Sequence, residues 1–362
     1  MKVIVSGGGT GGHIYPAIAI CQKLEERYKD IDILYVGTDF GPEKSIVEKH
    51  GYKFHPIEAM GMPRKFSKKL FKSFFKNIKG LRQAKKIIKE FEPDLVIGTG
   101  GYVCGPILYK ATKKKIPTLI HESNSYPGIT TRLLSSKVNY VLISYAQAMT
   151  HLKSKENVIV TGNPVRTNFS DKYTEEDLKK LGIKKDRPVV FSFGGSNGSY
   201  WMNKAVSNMA SHLDGKFYLL HQTGDRYYED FMKNTPENEY LKVFPYIDNI
   251  DLFYAVSDLV IASSGAMTLA ELSSVKKPSI LIPKNYTTEN HQQFNAQTYV
   301  DNGASLMILE KDLNEQILYD KILDIVKDTD NMKLMGENAG KLANPDAADQ
   351  IVDIIARLTA EK

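Results

Sequence analysis

Gly7-Gly8-Gly9-Thr10-Gly11-Gly12-His13 stands between the apolar run Val3-Ile4-Val5 and an amphipathic stretch over residues 14–28. A strand, a glycine-rich turn and a helix in that order aim backbone N–H groups and a helix N-terminus at an anion. The arrangement returns at Gly98-Thr99-Gly100-Gly101-Tyr102, after Leu95-Val96-Ile97, and at Gly194-Gly195-Ser196-Asn197-Gly198-Ser199, after Val189-Val190-Phe191-Ser192-Phe193. Three such loops, two early in the chain and one near its middle, predict two similar α/β halves facing a phosphorylated ligand.

The rhythm around the loops supports that reading. Strand-like runs at 3–6, 31–36, 95–97, 118–120 and 138–143 alternate with helical patterns at 14–28 and 42–50, the signature of a parallel sheet covered on both faces. A polar stretch, 170–186, separates this half from a second series of runs at 188–193, 217–221, 242–244, 259–261 and 279–282. After Asn344-Pro345-Asp346, apolar residues at Ile351, Ile354, Ile355 and Leu358 predict a closing helix. The expected domains are 1–164 and 165–343, followed by a helix in 344–362.

The chain has 362 residues, more than one hydrophobic core usually organises, and its 42% apolar and 25% charged content is that of a folded globular protein. Cys21 and Cys104 form no C-x-x-C pair, which argues against a disulfide framework or a thiolate metal site. The first strand begins directly after Met1-Lys2, so no secretory leader is expected. No apolar run approaches the roughly 18–20 residues that span a bilayer. The net charge of +6 is uneven: eleven lysines and arginines from Arg64 to Lys89 face one acid, Glu90.

Within that basic segment Leu70, Phe71, Phe74, Phe75, Ile78 and Leu81 share one helical face. Such a helix can lie on an anionic membrane, each well-placed cation contributing about 1 kcal/mol, or pack its aromatic face on the sheet. No RNA-binding signature accompanies the charge, so nucleic acid is not expected as a partner.

Gly7, Gly9 and Gly12 also satisfy the dinucleotide fingerprint, but the acid that should end the second strand is missing: Asp32 starts that strand and Asp39 lies beyond it. His13 opens the following helix, where the macrodipole disfavours imidazolium and keeps a neutral base; a packing role is the alternative. Tyr102 either lines the same cleft or packs beneath it. In Ser263-Ser264-Gly265-Ala266-Met267-Thr268-Leu269-Ala270-Glu271, small residues permit close backbone approach. Ser264 or Thr268 can bind phosphate there, and Glu271 can accept from two sugar hydroxyls or serve the helix dipole. Gln292 and Asn295 add amides at helical spacing. Asp328-Thr329-Asp330 lies away from every glycine loop and reads as a turn and N-cap, and His121-Glu122 lacks a partner pair at zinc-ligand spacing. Neither a metal nor another cofactor is expected.

Together these motifs resemble the MurG family of N-acetylglucosaminyltransferases, which complete the lipid-linked peptidoglycan precursor. The resemblance runs from the first strand to the closing helix. It rests on the first loop with Pro16, Gly100-Gly101-Tyr102, His121-Glu122-x-Asn124, Gly162-Asn163-Pro164-Val165-Arg166, Gly194-Gly195-Ser196, Gly265-Ala266-x-Thr268-x-x-Glu271 and His291-Gln292-x-x-Asn295-Ala296. It implies a GT-B fold, two Rossmann-like domains facing a cleft, with the last helix returning to the N-terminal domain. UDP-N-acetylglucosamine is the implied donor, a lipid-linked muramyl-peptide the acceptor, and the cytoplasmic face of the membrane the location.

His13 is the expected catalytic base; by the resemblance, Thr10, Gly11, Gly12 and Asn124 approach the transferred sugar or diphosphate. Arg166, Ser196, Ala266, Met267 and Thr268 serve the diphosphate, Ile247 the uracil, Glu271 the ribose and Gln292 the sugar hydroxyls. Ser123, Thr131 and Ser263 stand where many members have Gln, Asn and Arg. Rival readings are another GT-B glycosyltransferase with a lipid acceptor, a UDP-N-acetylglucosamine 2-epimerase, and a non-catalytic sugar-nucleotide binder.

Overall fold

The computed structural model describes residues 1–61, 68–165, 169–195, 197–285 and 290–360; the side chains of 68–70 and 72 are outside that description. The chain forms two compact units, Met1–Val165 with Asn344–Lys362, and Arg166–Ala343.

Among the described residues the first unit carries β1 (Lys2–Ser6), β2 (Asp32–Gly37), β3 (Lys53–Pro56), β4 (Leu95–Gly98), β5 (Thr118–Glu122), β6 (Tyr140–Ile143) and β7 (Val158–Val160). They form one parallel sheet in the order β3-β2-β1-β4-β5-β6-β7. Its helices are α1 (Gly11–Arg27), α2 (Glu43–Lys49), α3 (Lys68–Phe91), α4 (Cys104–Lys113) and α5 (Ile129–Leu134). Both sheet faces are covered, and the two-residue period of a strand shows it. Val3 and Val5 enter a cluster with Ile14, Ile18 and Cys21 of α1, while Ile4 between them enters another with Ile87 of α3 and Ile107 of α4.

The second unit repeats the plan with β8 (Val189–Phe193), β9 (Tyr218–Gln222), β10 (Leu241–Phe244), β11 (Leu259–Ala262), β12 (Ser279–Leu281) and β13 (Ser305–Met307), ordered β10-β9-β8-β11-β12-β13 and again parallel. Its helices are α6 (Glu175–Leu181), α7 (Tyr200–Met209), α8 (Asp225–Asn234), α9 (Ile250–Val256), α10 (Ala266–Ser274), α11 (His291–Asp301), α12 (Glu315–Lys327) and α13 (Thr329–Lys341). Val190 faces the aliphatic cluster of α7, α12 and α13. Phe191 and Phe193 stack at 4.8 Å, and Phe191 meets Phe253 of α9 at 5.2 Å.

Three strands escape the sequence reading, β3, β7 and β13; each is short, lies at a sheet edge with one neighbour, and is only partly buried. The polar stretch after residue 170 also contains a helix. Thr174 and Asp177 form a capping box at the start of α6, which ends on Gly182 in the left-handed region at φ +67°. Asp328 accepts from the Asn331 N–H at 3.0 Å and caps α13, the turn role read from its spacing.

The chain returns to the first unit at Asn344, whose Nδ2 donates to the Thr161 carbonyl at 2.7 Å, and closes with α14 (Ala347–Ala360). Ile351, Val352, Ile354, Ile355 and Leu358 join the α1 cluster. Lys23 pairs with Asp349 at 2.9 Å along the seam. We expect Ile355→Ala to cost about 2–5 kcal/mol by removing fully buried methyl groups. Denaturant unfolding followed by a probe in each unit checks this: the first unit should lose stability and the second should not.

Candidate active site

Ser6 pairs with Gly98, so the loops after β1 and β4 leave the sheet side by side. This is also where the strand order reverses, the position at which open α/β sheets bind ligands. The first loop is held from beneath. Tyr35 Oη donates to the Gly7 carbonyl at 2.8 Å, and the Gly9 N–H donates to Glu43 Oε2 at 3.2 Å. Glu43 is fully buried, and its other oxygen accepts the Thr38 N–H at 2.9 Å and the Thr38 hydroxyl. The expectation that the whole loop cradles an anion is therefore narrowed. Gly9 already meets a carboxylate of the chain, and Thr10, Gly11 and Gly12, exposed or half-buried at the start of α1, are the part turned to solvent.

His13 Nδ1 lies 3.1 Å from the Gly8 carbonyl. A carbonyl only accepts, so Nδ1 carries the proton and the neutral ring has its lone pair on Nε2. The second glycine loop makes room for this ring. Gly100 and Gly101 sit at φ +105° and +78°; a Cβ on Gly100 would come within 2.7 Å of His13 Cδ2, and one on Gly101 would run into the Gly8 carbonyl. The Thr99 hydroxyl donates to the His13 carbonyl at 2.6 Å. The second loop is thus the seat of His13, not an independent anion cradle. Tyr102 packs its ring against Gly9, and burial pushes its phenol pKa up.

At the end of β5, Glu122 is buried and organises the next loop. Its Oε1 accepts from the Asn124 N–H at 3.1 Å and from Asn124 Nδ2 at 3.0 Å, its Oε2 from the Gly128 N–H at 2.9 Å and the Thr131 hydroxyl at 2.7 Å. Asn124 is thereby held in one orientation. His121 beside it is a buried packing residue whose Nε2 donates to the Gly162 carbonyl at 3.0 Å; desolvation lowers its pKa and keeps it neutral.

In the second unit Phe193 pairs with Ala262, and the loops after β8 and β11 are neighbours in the same way. Gly265 precedes α10, followed by buried Ala266 and half-buried Met267 and Thr268 at the helix's first turn. Ser264 is not available to donate to phosphate, because its hydroxyl donates to the Gln292 carbonyl at 2.7 Å. Glu271 is one turn too far along α10 to cap it. Instead Tyr254 Oη donates to Glu271 Oε2 at 2.9 Å, and Tyr254 is itself packed against Phe191 and Phe193. Gln292 Oε1 accepts the Lys284 N–H at 2.9 Å, which leaves Nε2 as the donor end of that amide. The Ile247 N–H donates to Gln222 Oε1 at 3.0 Å, so backbone reading of a base there falls to the carbonyl. Arg166 and Ser196 lie outside the described residues.

Several contributors carry no motif in the sequence. Glu43 and Glu122 brace loops they precede or follow at irregular spacing. His221, fully buried, sits 2.7 Å from Ser192 Oγ and 3.2 Å from Asn203 Oδ1 under α7; desolvation pulls its pKa down to about 3.

The aromatic face of α3 is not its core face. Ser73, Gly80, Ala84, Ile87 and Ile88 are buried, and Asn77 exchanges hydrogen bonds with Met60 at 2.9 and 3.0 Å. Phe71, Phe74 and Phe75 are 62%, 52% and 66% exposed, with Ile78 and Leu81 half-buried; the side chain of Leu70 lies outside the described residues. Among the described residues no helix is long and apolar enough to cross a membrane.

Residues 3–143 match the glycosyltransferase family 28 N-terminal domain and residues 189–351 its C-terminal domain. The chain belongs to glycosyltransferase family 28. Two relatives from Finegoldia magna and Acetivibrio thermocellus, 50% and 42% identical over 366 residues, each match all of this chain over 99% of their own length. Both are named UDP-N-acetylglucosamine--N-acetylmuramyl-(pentapeptide) pyrophosphoryl-undecaprenol N-acetylglucosamine transferase. Among solved structures, Acinetobacter baumannii MurG shares the fold at TM-score 0.78 and 23% identity, covering 98% of this chain and 99% of its own. A Neisseria meningitidis UDP-GlcNAc 2-epimerase bound to UDP-GlcNAc also shares it, at TM-score 0.67 and 13% identity over 99% of this chain and 100% of its own. The fold alone thus does not separate transferase from epimerase, whereas the full-length relatives do, and the resemblance to the MurG family holds.

The departures from that family's common pattern now have a structural meaning in one case. Thr131 keeps a side-chain donor to Glu122 in place of an amide. Ser123 and Ser263 are buried, and nothing in the structure explains their hydroxyls.

Gly100→Ala should displace the His13 ring, and a fall in the family 28 transferase's kcat of roughly 10-fold or more is the outcome expected of a ring that acts as a base. The UDP dissociation constant should stay unchanged. Steady-state kinetics and calorimetry check the pair.

Proposed function

We propose that the chain transfers N-acetylglucosamine from UDP-N-acetylglucosamine to the C4 hydroxyl of a lipid-linked N-acetylmuramyl-pentapeptide, with inversion. The observation that carries it is the 50% identity, over the whole chain, to a transferase named for these substrates. The site chemistry agrees. The acceptor oxygen bonds to the anomeric carbon, the bond to the diphosphate breaks, and the hydroxyl proton passes to His13 Nε2. The Gly8 carbonyl that fixes the Nδ1 proton also favours the imidazolium formed, because Nδ1–H keeps its acceptor.

Negative charge gathers on the departing UDP. The first turns of α7 and α10, with Arg166, Ser196, Ala266, Met267 and Thr268, meet it with N–H groups and one cation. Glu271, held by Tyr254, takes the ribose hydroxyls, Ile247 the uracil through its carbonyl, and Gln292 the sugar hydroxyls. Thr10, Gly11, Gly12, Tyr102 and Asn124 belong to the first unit's share of the sugar, diphosphate and acceptor.

The protein works as a peripheral protein on the cytoplasmic face of the membrane, where its acceptor resides. Three exposed phenylalanines on a lysine-rich helix support this docking, since apolar rings enter the interface while cations meet anionic headgroups. No nucleic acid takes part.

UDP release measured with and without the muramyl-peptide lipid tests the reaction. Acceptor-dependent release is expected; conversion of the donor to its manno isomer by the protein alone would mean an epimerase instead. His13→Ala should cut acceptor-dependent turnover roughly 100-fold or more while UDP affinity holds. Replacing Phe71, Phe74 and Phe75 together by Ser should reduce sedimentation with anionic vesicles and leave the thermal unfolding temperature intact; retained sedimentation would assign docking elsewhere.

A further inference from the structure

Lys284 lies just past the carboxyl end of β12 and belongs to none of the motifs above. Its Nζ donates to the Gly198 carbonyl at 2.7 Å, joining it to the glycine loop that follows β8. Its backbone N–H donates to Gln292 Oε1 at 2.9 Å. The Gln292 carbonyl accepts from Ser264 Oγ at 2.7 Å, and the Ser264 carbonyl accepts from Asn295 Nδ2 at 3.3 Å. Lys284 therefore holds the loop before α7 with its ammonium and Gln292 at the start of α11 with its main chain, and Gln292 in turn holds the loop before α10.

The loop it reaches has little freedom of its own to spare. Gly198 adopts φ +69°, a Cβ there would run into the Thr223 carbonyl, and its N–H closes a turn on the Gly195 carbonyl at 3.0 Å. Lys284 fixes the remaining polar group of that residue. The ammonium is also partly buried: desolvation lowers its pKa, and the charge of buried Glu310, whose Oε2 accepts the Asn285 N–H at 3.0 Å, opposes that shift. A cation in such surroundings is poorly screened, and its field extends into the loop.

We infer that the Lys284 side chain is a positioning group for the donor, setting the glycine loop in place through Gly198 and presenting a positive charge beneath the diphosphate. This rests on the reading of the second unit as the UDP-sugar site. The uridine moiety is assigned to Ile247 and Glu271, which Lys284 does not touch through any of these bonds. Loss of the lysine should consequently be felt by the phosphates and not by the nucleoside.

The test compares UDP and uridine binding to the full chain by ligand-observed NMR and calorimetry. In Lys284→Met the UDP dissociation constant should rise roughly tenfold or more, with that for uridine unchanged within about twofold. Equal UDP affinity in variant and parent overturns the inference, and so does an equal loss of UDP and uridine, which would mark a lysine that only holds the unit's fold. A parent chain that binds neither ligand would instead sink the underlying assignment of the nucleotide. Should Lys284→Met lose its cooperative thermal transition, the same two affinities in Lys284→Gln decide.

Discussion

Parallel pairing at two points, β1 with β4 and β8 with β11, governs where the chemistry can be. At each, the strand order turns back on itself, and the helices that follow the paired strands leave on opposite faces: in the first unit α1 packs with Val3 and Val5, α4 with Ile4. The two loops that open these helices then stand with no helix between them. Ser6 opposite Gly98 and Phe193 opposite Ala262 are the register marks that bring a histidine to its seat in one unit and two loops of candidate donor contacts together in the other.

Loops so rich in glycine carry few side chains to define their own shape and lose much chain entropy on ordering. Buried and half-buried charged groups take over that task. Glu43 accepts from Gly9 and Thr38, Glu122 from Asn124, Gly128 and Thr131, and Lys284 donates to Gly198. A buried carboxylate or ammonium is unfavourable alone, but hydrogen bonds to backbone offset the lost hydration, and the backbone is pinned in return. Both buried histidines, His121 and His221, remain neutral for the same reason that these groups need partners: desolvation penalises charge.

The sheets were legible because interior parallel strands, apolar on both faces, leave continuous runs such as Val189 to Phe193. Three of the four edge strands were not: Lys53-Phe54-His55-Pro56, for one, buries little and has one neighbour. His13 could be placed at a helix start from its position alone. Its protonation could not, since the Gly8 carbonyl becomes its partner only once the loop folds, and the glycines that admit its ring lie on another strand. On α3 two stripes share the helical period. The aromatic one is louder, yet the small residues Ser73, Asn77 and Gly80 are what allow the segment from Glu58 to Gly61 to approach, and this decides which face turns inward. Lys284 had no signal, because its partner is 86 residues distant.

The return of α14 to the first unit makes that unit discontinuous along the chain, whereas the second is one uninterrupted segment. Synthesis is vectorial, from the amino end. The middle of the protein can complete its core while the cluster around α1 still lacks Ile351, Ile354, Ile355 and Leu358, waiting for the final turns to emerge. Order of emergence on the ribosome and order of consolidation thus run in opposite senses: the part made first is sealed last.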